Sequence, residues 1–373
     1  MGQSNFAKII KTILDSKQNK ELFYDNINLV ELKDKIIVID ISFYIYKCIY
    51  NNKQSILIYF INFINKLKKF NIKPIFVSDG KPDKSKNKII IKRKKNKEKY
   101  VKIINDIDEN IKLVEKALNL DDNEIENEII LLNNNNTELI NKKIDLIKQK
   151  NKYKKRTVNI TKKETDDLKN LFNLFKIPYI HLNYEADLIC SILVKKGIAY
   201  ACLSNDFDLI GFQCPIILKD LNFKSNNIKL IKLEKISNLL EINYDIITDL
   251  IILSGCDYAP NIQKNLNIVK VYNQLKDGID ISKVLEFFNY FKYDYQTPRN
   301  IFHTDLSINY SKDITNYDYI NSYYKFIKEE KINNFIRNLN NDNNNHKDNN
   351  HSSNNSNIIK KLYNDINITI PTF

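Results

Sequence analysis

Four carboxylates lie in one short stretch of the chain, Pro178–Leu209, with the sequence PYIHLNYEADLICSILVKKGIAYACLSNDFDL. Glu185 and Asp187 open a helical pattern, and Asp206 and Asp208 follow an apolar run. Taken alone, each pair has an ordinary reading. Acids in a first helical turn complement the macrodipole and cap free N–H groups, and Asn-Asp after a strand is turn chemistry. Four carboxylates brought to one place are another matter. Like charges at close range raise one another's pKa or share a cation. Oxygen donors with no His or Cys among them suit Mg²⁺ or Mn²⁺ rather than zinc.

The elements that must position these acids are a strand at Pro178–Leu182, a helix at Ala186–Lys196 closed by Gly197, and a strand at Ala199–Leu203. Strand, helix and strand make a βαβ unit, which implies a parallel strand pair. Both acid pairs then lie at the carboxyl ends of strands, where open α/β sheets bind ligands. Two earlier apolar runs also end in an acid: Ile36–Ile39 leads to Asp40, and Pro74–Ser78 to Asp79-Gly80-Lys81-Pro82. A turn explains Asp79 equally well in isolation. Residues 233–254 read as helical and end at Ser254-Gly255-Cys256-Asp257-Tyr258. An acid at a helix C-terminus opposes the dipole, so Asp257 joins the other six as a candidate.

Directly after Asp79 comes the densest basic run, residues 81–99, KPDKSKNKIIIKRKKNKEK, with ten Lys/Arg against Asp83 and Glu98. A solvated helix face is the default reading of such a run. Lys86 and Arg93 are seven residues apart and share a helix face. A basic helix beside an acidic metal cluster is what phosphodiester chemistry needs. The whole chain carries a formal charge of +13 over 373 residues, which suits a polyanionic partner, nucleic acid before membrane. A/T-rich codon bias is the plain alternative source of many lysines.

Hydrophobic residues make up 43 % of the chain, enough for a substantial core. The five cysteines show no CxxC spacing and read as core residues of a reducing compartment. No apolar run has the length of a membrane span, and no signal-peptide h-region opens the chain. The expected location is intracellular, in nucleus, cytoplasm or a viral replication site, and not secreted. Along the chain, residues 3–32, a segment from about Ser42, Ser55–Phe70, residues 156–176 and residues 266–277 read as helical, and Pro215–Leu218 as a further strand. Residues 100–155 are polar and helix-like, an insertion between sheet elements. Residues 338–357 are Asn-rich and of the composition that stays disordered.

Five motifs in order, MGQSNFAKII, IIVIDIS, PIFVSDGKP, YEADLICSILVKKG with LSNDFDLIGF, and ILSGCDY, resemble those of the structure-specific 5′ nucleases of the flap endonuclease, XPG and mismatch-repair exonuclease superfamily. The resemblance spans roughly residues 1–280 without the insertion. It implies an α/β fold: a parallel, PIN-like sheet flanked by helices, with an inserted helical arch and a helix-two-turn-helix unit. It divides the chain into an N-terminal nuclease region at 1–100, an arch or insertion at 101–155 and an internal nuclease region at 156–235. A helix-two-turn-helix region with a helical extension follows at 236–335, and an Asn-rich tail at 336–373.

Carried over by position, the family's ligands for two Mg²⁺ or Mn²⁺ ions fall on Asp40, Asp79, Glu185, Asp187, Asp206, Asp208 and Asp257. Asp187 stands where many relatives have Glu, though a subset shares YEAD. Catalytic phosphate-steering roles fall on Lys86 and Arg93, and base stacking on Tyr46. DNA contacts fall on Gly2, Lys92, Lys94, Lys264 and Lys270. The family's Gly-apolar-Gly hairpin is Gln263-Lys264-Asn265-Leu266-Asn267 here, so Asn265 and Asn267 are expected to take up positive φ in a turn without glycine. The implied activity is a divalent-metal-dependent nuclease, a flap endonuclease or 5′–3′ exonuclease acting as a monomer on branched or nicked DNA. No sliding-clamp peptide is evident. The alternatives are a catalytically inactive DNA-junction-binding protein and an RNA-directed 5′ exonuclease.

Overall fold

The computed structural model describes residues 3–51, 55–80, 84–121, 132–158, 160–308, 310–316 and 318. Gly2 and the Asn-rich tail 336–373, with its tract 338–357, lie outside the described residues. The chain divides into two compact units, one of residues 1–48, 53–86 and 162–373, the other of residues 49–52 and 87–161.

In chain order the elements are α1 (Gln3–Ser16), β1 (Asp25–Asn28), β2 (Ile36–Asp40), α2 (Ile41–Asn51), α3 (Ile56–Lys69) and β3 (Lys73–Ser78), followed by α4 (Asn87–Asp121) and α5 (Leu132–Thr157). Next come α6 (Lys162–Leu174), β4 (Tyr179–His181), α7 (Ala186–Lys195), β5 (Ala201–Leu203), α8 (Asp208–Gly211), β6 (Ile216–Lys219) and β7 (Asn227–Lys232). The chain continues through α9 (Leu233–Leu240), α10 (Tyr244–Ser254), α11 (Ile268–Lys276), α12 (Ile281–Phe287), α13 (Gln296–Phe302), α14 (Tyr310–Asp313) and β8 (Ile314–Thr315).

In the first unit the strands run β1-β7-β6-β5-β2-β3-β4-β8. The five central strands, β6 to β4, are parallel, as expected. The edges are antiparallel: β1 on β7, β7 on β6 and β8 on β4. The sheet is therefore mixed. β1, at one edge, alternates half-buried with exposed residues, the pattern of a strand with one wet face. β4 and β5 are parallel but not neighbours. β4 pairs with β3 and β5 with β2, so the βαβ crossover passes over two strands.

The helix expected over residues 3–32 ends at Ser16, and β1 and a 3-10 turn at Leu29–Leu32 take up the rest. Its apolar face is real: Phe6, Ile9, Ile10 and Ile13 are fully buried, and α1 packs on α9, α10 and α11. The helix expected over 233–254 is two helices. Glu241 sits in the left-handed conformation at φ 55, ending α9, and Asn243 then caps α10 through a bond from the Ile246 N–H. Lys17 and Lys276 reach the Glu241 carboxylate at 2.8 and 2.5 Å. In a chain with six glycines, ion pairs support a turn that glycine would otherwise make.

The second unit is an antiparallel hairpin of α4 and α5. Lys143 meets Glu115 at 3.0 Å, Lys150 pairs with Asp108, and Tyr100 lies 5.6 Å from Tyr153 between ring centroids. Ile107 and Val114 are buried between the helices. A single narrow apolar seam suffices for two helices, which is why the sequence here shows so little hydrophobic periodicity.

Candidate metal centre and nucleic-acid interface

Each acid is delivered by the end of a strand or the start of a helix. β2 ends on Asp40, which is 8 % exposed and accepts the Ser42 N–H at 2.8 Å, capping α2. Just past β3, Asp79 accepts the N–H of Ala186, the first residue of α7, at 3.0 Å. Gly80 makes that approach possible: its N–H donates to the Tyr184 carbonyl at 2.9 Å, and a Cβ there would stand 1.8 Å from the Leu182 carbonyl oxygen. Glu185 is the N-cap of α7 but spends no side-chain bond on capping, and Asp187 follows in the first turn. Asp208 opens α8 and donates its N–H to Asp206 Oδ1 at 3.0 Å. Gly255, at φ 86 and packed on Asn261, turns the chain after α10. The turn sets the Asp257 N–H against Asp208 Oδ2 at 3.4 Å.

The acids feel one another. Burial, then Asp79 and Asp206, push the Asp40 carboxyl up to about 8. Burial followed by Asp206, Asp40, Asp79 and Asp208 raises Asp187 well above the carboxylate range. Burial, Asp206 and Asp257 raise Asp208 likewise, with Lys86 opposing. The Lys86 ammonium stands 2.7 Å from Glu185 and 3.4 Å from Asp257. Burial works to lower its pKa, but Glu185 and Asp257 outweigh that and hold it above the ordinary lysine value. Tyr258 closes the group: its hydroxyl donates to Glu185, and its ring lies 4.8 Å below the Lys86 ammonium. The motif drew attention to Asp257, while its neighbour Tyr258 carried no separate signal.

Among the described residues, no group of three acids is drawn together tightly enough to hold a cation as it stands. The donor set nonetheless fits a divalent ion. It is all oxygen, its buried members bear the cost of mutual repulsion, and the buried Asp187 Oδ1 has no hydrogen-bond partner. A hard cation relieves all three conditions.

The other residues singled out are distributed as follows. Tyr46 is exposed on α2 in the first unit. Lys92, Arg93 and Lys94 are exposed on α4 and belong to the second unit, whereas Lys86 and the seven acids belong to the first. Lys264 and Lys270 are exposed, and the Lys270 ammonium lies 4.2 Å over the Phe287 ring. The hairpin differs from expectation, because neither Asn265 nor Asn267 has positive φ. Gln263–Asn265 form a 3-10 turn, and Asn267, at φ −74, caps α11 by accepting the Lys270 N–H at 3.1 Å. A capping side chain does here what a flexible backbone would otherwise do. The second unit holds a cleft of about 480 Å³ lined by Tyr50, Lys148, Asn151, Lys152, Lys155 and Arg156. The Lys/Arg spacing along α5 carried that signal, but the basic run at 81–99 overshadowed it.

Residues 1–100 match the XPG N-terminal domain and residues 176–257 the XPG I-region. A probable RAD2-like endonuclease of Invertebrate iridescent virus 6 is 31 % identical over 320 residues, covering 77 % of this chain and 74 % of that protein. A flap endonuclease 1 of Cryptosporidium parvum is 30 % identical over 261 residues, covering 65 % of this chain but 46 % of its own length. The solved flap endonuclease-1 of Methanococcus jannaschii superposes with a TM-score of 0.53 at 22 % identity, over 92 % of this chain and 96 % of that one. That likeness defines the fold as the α/β core of 5′ nucleases. The chain belongs to the structure-specific 5′ nuclease superfamily. It is a hydrolytic DNA nuclease of a metal-dependent family.

Proposed function

We propose that this chain cuts branched or nicked DNA near a 5′ end, with the seven acids as its metal site. The observation that carries the reading is the meeting of buried, mutually repelling carboxylates with the Lys86 ammonium at one end of the parallel central strands. Asp40, Asp79 and Glu185 would hold one divalent ion. Asp206, Asp208 and, through water, Asp257 would hold a second, with Asp187 between them. Bound ions of this kind clamp a scissile phosphate and lower the pKa of a water for in-line attack.

The chain's own groups do the rest. Lys86 offers positive charge where charge develops on the phosphoryl oxygens, and leaving Glu185 and Asp257 frees it for that work. Tyr258 then keeps Glu185 oriented by its hydroxyl. Arg93 is the second steering cation, and Tyr46 offers an exposed ring for a base to stack on. Lys264 and Lys270 serve the phosphates of the duplex, and Lys92, Lys94 and Gly2 contribute further contacts. Products would carry 5′-phosphate and 3′-hydroxyl ends. Mg²⁺ is the ion favoured by the donors, and Mn²⁺ would substitute.

The test is cleavage of end-labelled DNA flap, nicked duplex, single-stranded DNA and matched RNA at fixed Mg²⁺. Preference for the flap or nick supports the reading. Cleavage of RNA ahead of every DNA substrate, or tight junction binding without any cleavage, would sink it.

A further inference from the structure

The loop that carries Asp206 and Asp208 is gripped from behind. Lys219, the last residue of β6, is 6 % exposed, and its ammonium donates to the Asn205 carbonyl at 2.6 Å. The same ammonium lies 3.5 Å over the Phe207 ring, so it touches the residues preceding both acids. One residue on, Asp220 takes the left-handed conformation at φ 61. In that position its N–H donates to Asn205 Oδ1 at 2.9 Å, while its carboxylate accepts from Asn205 Nδ2 at 3.0 Å. Lys229 on β7 holds the other Asp220 oxygen at 2.9 Å. Lys219 and Lys229 are register partners across β6 and β7, so the grip is anchored in the sheet.

Ser204 donates its N–H to the Leu218 carbonyl at 3.2 Å, and Asp206 donates its own to Ser204 Oγ at 3.2 Å. A buried ammonium is costly unless it is hydrogen-bonded and balanced by charge. A methionine would fill the same space without that cost, so a lysine here needs a reason. Packing supplies none, whereas the loop supplies one: its backbone between two acids must hold still.

We propose that Lys219 and the Asn205–Asp220 pair are positioning residues that hold the loop so Asp206 and Asp208 are presented together to a divalent cation. The inference rests on the reading of those acids as metal ligands. Asn205 and Asp220 grip each other, and Lys219 holds the loop through the Asn205 carbonyl and the Phe207 ring. Removing partners that orient metal ligands weakens metal affinity by about 10–100-fold.

The experiment is calorimetric titration of Mn²⁺ into the full chain, paired with cleavage rates over a range of Mn²⁺. The variants are Asn205→Ala, Lys219→Met, Lys219→Arg and Asp206→Asn. Asn205→Ala and Lys219→Met are expected to weaken Mn²⁺ binding by about 10–100-fold. Both should raise the Mn²⁺ needed for half-maximal cleavage by the same factor, with a smaller loss of rate at saturation, and Lys219→Arg should recover most of the affinity. Because Lys219 is buried, Asn205→Ala, only half-buried, carries the test if Lys219→Met fails to fold. Wild-type Mn²⁺ affinity in Asn205→Ala would overturn the inference while leaving the metal site intact. Equal Mn²⁺ binding by wild type and Asp206→Asn would instead remove the metal site and the inference with it.

Discussion

Asp208 has an acid on either side of it and one opposing cation, so burial and its neighbours press it toward the neutral form until a metal relieves them. Asp208→Asn should abolish cleavage at any Mg²⁺ concentration. It should leave flap binding intact or tighter, because one negative charge beside the phosphate is gone. Wild-type turnover by this variant would end the assignment. Lys86 is the complementary case. It supplies countercharge to Glu185 and Asp257, and a divalent ion would take over that role. Lys86→Met should therefore lower the melting temperature more in chelator than in excess Mg²⁺. Equal losses under both conditions would mean that the lysine contributes packing alone. All seven acids and Lys86 stand out in the sequence because each sits at a fixed place after an apolar run or within the basic run, and their roles rest on the function proposed above. Tyr258 was not, since one tyrosine among 22 has no spacing that marks it. Its part depends on where the turn at Gly255 sends the chain.

The central strands and most helices were legible as continuous apolar runs and amphipathic faces. The edge strand β1 and its neighbour β7 were not, because a short half-wet strand such as Asp25–Asn28 has one apolar residue to offer. The hairpin before α11 departs from the sequence expectation for a related reason. Absence of glycine suggested strained asparagines, whereas Asn267 is an unstrained N-cap. Asn267→Ala should cost about 1 kcal/mol in chemical denaturation, and Asn267→Gly only a few tenths. A gain in stability with glycine would restore the strained reading. Between α10 and α13, Asp249 is 1 % exposed and bonded by Arg299 at 2.7 Å. Burial still raises its carboxyl to about 7, against the pull of Arg299. A carboxyl raised in the folded state contributes stability fully below its unfolded value of 3.8 and loses that contribution as pH rises through about 7. Asp249→Asn does not ionise, so it should compare better with wild type at pH 8 than at pH 5.5. A melting-temperature difference that stays constant across that range would show that Asp249 keeps its ordinary pKa.

At the scale of the whole molecule the question is what a net charge of +13 does. A codon-biased excess would be spread evenly, whereas the second unit concentrates its basic residues. α5 carries Lys148, Asn151, Lys152, Lys155 and Arg156 into one cleft with Tyr50. These positions recur at helical spacing, so they share a face. Arg156 is committed in part, with its guanidinium 5.3 Å over the Tyr100 ring, and Lys148 pairs with Asp145 at 3.1 Å. Lys152 and Lys155 have no such ion pair among the described residues and are the natural phosphate contacts. Basic side chains beside an aromatic suit a single strand, whose bases stack while its backbone is neutralised. Neutralising single-strand phosphates releases counterions, and log affinity falls by about 0.7 per phosphate for each log unit of salt. The double variant Lys152→Ala/Lys155→Ala should therefore bind DNA with a 5′ single-stranded tail more weakly at low salt. Its salt slope should be shallower by about 1.4. Binding to a tail-free nicked duplex should keep its slope, because that duplex offers no single strand to the cleft. Fluorescence anisotropy over a salt series reads both. An unchanged slope on the tailed substrate would mean that these lysines are a solvated face and that the charge of the second unit has no part in holding the strand.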